Sequence, residues 1–203
     1  LLVLGMVGGG TWAYFSDTEA TGTNVLTAGT LDLDLGGGDD LGTVIFNLST
    51  KAPGDADNHT IALNYPTTNV PAELDLTFGT VNNVGFDTVA NPNAEYADDT
   101  GNLGASLEIA PYIDIAANGS FDGGTDIALG SSSDNHTTSA LQWDALDNFS
   151  TNTWDDLYSA ASINGTADNF VIEWRIPTSA GNSIQGDSAN FTMTFTLEQT
   201  TVD

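Results

Sequence analysis

The side chains in this sequence that could do chemistry are mostly oxygen donors. In LDLDLGGGDD (Leu31–Asp40), Asp32, Asp34, Asp39 and Asp40 surround a glycine-rich turn that can fold back on itself. Carboxylate oxygens grouped in this way suit Ca²⁺, a hard cation that takes six to eight such ligands. FDGGTD (Asp122, Asp126) and AEYADDTG (Asp98, Asp99) are lesser candidates of the same kind, and none of the three has the EF-hand spacing. An aspartate cluster in so acidic a chain is also what a solvated surface looks like. The reading therefore requires no cofactor, and Ca²⁺ is the one ion these residues would take.

Catalytic groups are scarce. His59 and His136 are the two histidines, both in an N-H-T context within polar segments, and there is no cysteine. A zinc peptidase site of the H-E-x-x-H type needs two histidines one helical turn apart, so no zinc site is expected. A thiol nucleophile is ruled out as well. The sequence reads as a non-enzyme. Two other residue sets are candidates for recognition. N-x-S/T sequons start at Asn47, Asn58, Asn118, Asn135, Asn148, Asn164 and Asn190, acceptor sites for N-glycosylation in a host that has the machinery. Trp143, Trp154 and Trp174 could form a sugar-binding platform, although each lies on an apolar periodic face that favours core packing.

Charge narrows the partners. The 203 residues carry 28 Asp and Glu against 2 Lys and Arg (Lys51 and Arg175), a net charge of -26. Such a chain has no cationic footprint for nucleic acid or for an anionic membrane surface. Its self-repulsion points to brine or divalent cations as the working medium, and the excess of Asp over Glu with almost no Lys reads as a halophile's surface.

The elements that must position these residues are strands. Leu31, Leu33 and Leu35 alternate with Asp32 and Asp34, and Phe191, Met193, Phe195 and Leu197 alternate with Thr192, Thr194 and Thr196, the period of half-buried strands. Further strands are expected at 43–48, 60–64, 73–78, 107–115 and 169–176, separated by Gly, Asn and Asp turns. One short helix is expected at 153–161, where Trp154, Leu157, Tyr158 and Ala161 recur at helical spacing. The pattern predicts an all-β fold, an antiparallel jelly-roll β-sandwich spanning residues 17–203, preceded by an extended N-terminal segment at 1–16.

That opening segment, LLVLGMVGGGTWAYF, contains no charge. It is too short for a transmembrane helix, and its glycines weaken any helix. It fits the core of an export signal better. The chain begins without Met, so processing is expected ahead of Leu1, with the apolar run retained. Leu1, Leu2, Val3, Leu4, Met6, Val7, Trp12, Tyr14 and Phe15 must then be buried, either in the chain's own core or as a strand added to a neighbouring copy. A segment passed from each copy to the next repeats without closing, which gives an open filament.

Three stretches resemble the TasA/camelysin family of secreted biofilm-fibre proteins: VGGGTWAYFSDTEATGTNVLTAGTLDLDL (Val7–Leu35), VIFNLSTKAPGD (Val44–Asp55) and GNSIQGDSANFTMTFTLEQTT (Gly181–Thr201). The acidic, sequon-rich composition leans toward the family's archaeal bundling pili. The resemblance implies an extracellular, exported jelly-roll subunit that polymerises with itself by donor-strand complementation. It also implies lateral bundling and no stable membrane insertion in the mature fibre. Retention of Leu1–Ala13, where bacterial members are cut, implies a longer donor strand or a different peptidase. The acceptor walls are expected to include the Leu31–Leu35 and Phe191–Leu197 faces. The alternative is a monomeric or oligomeric cell-surface adhesin with calcium or glycan binding.

Overall fold

The computed structural model describes residues 24–28, 34–35, 43–44, 52–64, 72–85, 103–157, 167–180, 184 and 187–199. The expected donor segment 1–16 lies outside them. The strands are β1 (Asn24–Ala28), β2 (Asp34–Leu35), β3 (Thr43–Val44), β4 (Ala56–Asn64), β5 (Ala72–Phe78), β6 (Asn82–Val84), β7 (Glu108–Asp114), β8 (Ile127–Leu129), β9 (His136–Thr137), β10 (Asp144–Ala145), β11 (Thr153–Trp154), β12 (Ala167–Arg175), β13 (Ser188–Asn190) and β14 (Met193–Gln199). A four-residue helix, α1 (Leu103–Ser106), precedes β7, and a 3₁₀ turn occupies Leu146–Phe149.

Among the described residues one sheet runs β11-β5-β14-β1-β3 and a second runs β2-β4-β12-β7-β8-β9, with β10 also on β7; β13 and β6 form a separate pair. The ladders are antiparallel except one, since β1 lies parallel to β14 with Leu26 opposite Met193. The two large sheets share one core. Leu74, Leu76, Phe78, Met193 and Phe195 from the first pack with Ile61, Leu63, Ile113, Phe170 and Ile172 from the second. Phe170 and Phe195 meet edge-on across the interface, ring centroids 5.1 Å apart. The protein is an all-β sandwich.

Period-2 alternation explains why these segments are strands. In β4, Ile61 and Leu63 face the core while Asn58 and Thr60 face solvent, and β5 alternates Leu74, Leu76 and Phe78 with Asp75 and Thr77 in the same way. In β7 both faces are covered, and Ala110 through Asp114 are buried. Pro111, in the middle of β7, lies opposite Ile172 where the other flank passes from β10, which pairs at Ile109, to β8, which pairs at Tyr112. A residue without an N–H is tolerated where a ladder is interrupted. The APGD sequence closes a turn into β4: Pro53 takes its second place, Gly54 its third at φ 98°, and the Asp55 N–H donates to the Ala52 carbonyl at 2.9 Å. Glycine is needed there because that backbone region penalises a Cβ.

The helix expected at 153–161 is not formed at its start. Thr153 and Trp154 are β11, paired antiparallel with Thr77 and Leu76 of β5. Trp154 and Leu157 are both buried because the chain leaves the strand through Asp156 at φ 54°, which brings the residue three positions on back to the core. A strand followed by a left-handed kink imitates helical spacing. Tyr158 and Ala161 lie outside the described residues.

Candidate functional site

The acidic residues take different roles. Asp34 lies in β2 with its backbone opposite Asn64, whereas Asp32, Asp39, Asp40, Asp98 and Asp99 lie outside the described residues. The FDGGTD candidate is resolved in detail. Asp126 is fully buried and accepts from the backbone N–H groups of Ile115 (3.0 Å) and Asp122 (2.7 Å). Asp114, buried beside it in the fold, accepts from Asn118 N–H and Gly119 N–H at 3.2 and 2.8 Å. These carboxylates hold the 115–125 loop against the sheet by satisfying amides that would otherwise be orphaned. Among the described residues no group of three or more His, Cys, Asp or Glu is placed to hold a metal ion. Sequence reasoning missed Asp114 as a loop staple, although its position just ahead of the glycine turn of NGSFDGG was the available signal.

The outer face of the second sheet is covered unevenly. Over β7, β8 and β12, Tyr112, Ala128 and Val171 are capped by Phe121 and Leu141, with Phe121 edge-on to Tyr112 at 5.5 Å. Burial, reinforced by Glu173, Asp114, Asp126 and Asp122, drives the Tyr112 hydroxyl far above its ordinary pKa, so it stays protonated. Desolvation likewise raises Glu173 and lowers His59. Asp144 is held below the usual carboxylate range, chiefly by the hydrogen bond from Ser131.

Arg175 is the one arginine of the sequence. Its guanidinium lies 4.2 Å from the ring centre of Trp143 and pairs with Glu108. With side chains 46% and 33% exposed, that ion pair contributes about 0.2–1 kcal/mol, little against a net charge of -26. Screening should matter more. Between about 0.15 and 1 M salt the Debye length falls from about 8 to 3 Å, and relief of a few kcal/mol of repulsion corresponds to a rise in melting temperature of roughly 5–15 °C. Calorimetry over a NaCl series at fixed pH measures this; a flat response would show that the carboxylates are too dispersed to repel.

The three candidate tryptophans do not make a platform together, because Trp154 and Trp174 are buried in the core and Trp143 is half-exposed, beneath Arg175. The histidines are also apart. His59 in β4 lies opposite Ile172, Ile172 lies opposite Pro111, and His136 in β9 lies opposite Leu129 of β8. Three strands separate β4 from β9, so four strand spacings of about 4.8 Å put the two roughly 19 Å apart.

A family model described as camelysin metallo-endopeptidase matches residues 1–105, just over half of the 203-residue chain. The chain belongs to the camelysin family. TasA-type members of the family are secreted structural proteins of the biofilm matrix. No curated protein matches the chain. A zinc site that uses both histidines, as the H-E-x-x-H type does, does not fit this fold, since such a site needs ligand nitrogens within roughly 4 Å of one another and His59 and His136 are far beyond that. Among the described residues no helix is long and apolar enough to cross a membrane.

Proposed function

We propose that this camelysin-family chain is the structural subunit of an extracellular filament, a pilus or matrix fibre, and not a peptidase. The family match over residues 1–105 carries the reading, and the separation of His59 from His136 supports its non-enzymatic side. In this reading the domain is a jelly roll, exported behind a signal peptide, and the apolar segment Leu1–Phe15 of each subunit adds a strand to the next. Phe191, Met193 and Phe195 are buried in the subunit's own core. In this reading the acceptor is a strand edge beside that core. Lateral bundling of such fibres follows most readily where brine screens their charge.

Size-exclusion chromatography in molar NaCl, followed by negative-stain microscopy, tests the proposal. The filament subunit elutes at the void volume and shows fibres of uniform width. Elution as a compact monomer, with no fibres at any salt concentration, would overturn the reading in favour of a surface adhesin.

A further inference from the structure

We infer that Asn58 is an N-glycosylation acceptor, modified by transfer of a lipid-linked oligosaccharide to its side-chain amide, and that the sugar stands on the solvent face of β4. The inference stands apart from the filament reading. It rests on how the fold presents the five sequon asparagines that are described.

Four of the five are committed or half-buried. Asn118 donates its amide to the Asp122 carboxylate at 2.5 Å, Asn135 to Gln142 Oε1 at 3.2 Å, and Asn148 to Asp144 Oδ1 at 2.7 Å. Asn190 is half-buried, and its oxygen accepts from Asn82 at 3.4 Å. A sugar on any of these must share or displace an existing interaction. Asn58 is exposed, and among the described residues its one hydrogen bond outside the β4–β12 ladder is through the backbone N–H, which donates to Asp57 Oδ1 at 2.9 Å. Its side-chain amide is uncommitted.

The strand also presents the two defining residues of the acceptor sequence to solvent. Residues two apart in a strand share a face, so Asn58 and Thr60 stand side by side on the outer surface, both exposed, while Ile61 and Leu63 point inward. Opposite them in β12 are Glu173 and Val171. The Phe121 and Leu141 cover reaches Val171, and Thr60 beside it remains exposed. Among the described residues β2 pairs with β4 at Leu63 and Asn64, five residues beyond Asn58.

In the transfer, Asn58 Nδ2 attacks the anomeric carbon of the oligosaccharide. The N–C bond forms as the bond from that carbon to the lipid phosphate oxygen breaks. The lipid phosphate leaves with the electron pair, and one amide proton passes to a base of the transferase.

The test uses protein isolated from the cells that make it. Asp-N digestion releases Asp57–Leu74, a peptide in which Asn58 opens the only sequon. Mass spectrometry should find this peptide carrying an oligosaccharide. Thr60→Ser should retain the modification, while Thr60→Ala and Asn58→Gln should lose it with the folded far-ultraviolet circular dichroism spectrum unchanged. An unmodified wild-type peptide overturns the inference. Sugar retained on Thr60→Ala also overturns it, because the attachment then does not follow the sequon.

Discussion

A chain lacking Leu1–Val7 is expected to fold and to form no fibres. The deletion removes Leu1, Leu2, Val3, Leu4, Met6 and Val7. At roughly 1.5–3 kcal/mol for each side chain buried, these contribute on the order of 9–18 kcal/mol to whatever surface shelters them. Ordering seven residues costs roughly 7–14 kcal/mol, so the balance for an added strand is a few kcal/mol, set by its ladder hydrogen bonds at about 1 kcal/mol each. Every 1.4 kcal/mol is a factor of ten in the association constant. Loss of most of the apolar segment therefore moves assembly from favourable to negligible at micromolar protein. Among the described residues the core is built from β4, β5, β7, β12 and β14, and on this reading the domain should keep its circular dichroism spectrum and melting temperature. Electron microscopy of the truncated chain in molar salt decides the matter. Normal fibres would mean that copies touch through other surfaces. Loss of the folded spectrum would mean that the segment belongs to its own subunit's core.

The sequence made the sheet legible where one face is wet. Alternation in 60–64 and 73–78 marked β4 and β5, with boundaries within a few residues of those observed, because half-buried strands write their period directly into the chain. Phe191, Met193 and Phe195 were placed on a buried face for the same reason. Legibility failed where a turn supplied the spacing. Trp154 and Leu157 read as one helical face because the left-handed Asp156 between them is invisible to periodicity. The parallel pairing of β1 with β14 was not legible either, since register between segments about 170 positions apart depends on tertiary context. Among candidate sites, Asp122 and Asp126 were picked out as cation ligands; the Asp126 carboxylate accepts from the backbone N–H groups of Ile115 and Asp122, and the Asp122 carboxylate from the Asn118 side-chain amide. Composition alone cannot separate a carboxylate that binds an ion from one that staples a loop, because both need oxygen atoms near a glycine-rich turn.

Trp154→Ala is expected to cost about 3–5 kcal/mol of stability, a large share of the 5–15 kcal/mol typical of a folded domain. Trp154 is fully buried on the short edge strand β11, where its side chain has little room to be replaced by collapse. Its ring stands edge-on to Phe78 at 5.7 Å and lies 6.4 Å from Phe149, and Phe78 in turn stacks on Phe191 at 5.3 Å. Removing the indole opens a cavity at the centre of that aromatic group. It also takes away the Nε1–H that donates to the Asn135 carbonyl at 3.0 Å, a bond that ties the β8–β9 loop to the first sheet. Trp154→Phe separates the two contributions, because it keeps most of the ring packing and loses only the donor. It should cost about 1–3 kcal/mol, the penalty for leaving a buried carbonyl unpaired together with a smaller void. Denaturant titrations followed by circular dichroism in molar salt give both values. If Trp154→Ala costs less than about 1 kcal/mol, the indole is not part of the core. β11 would then not be docked on β5, and a helix starting at Thr153 would again become the better account of this segment.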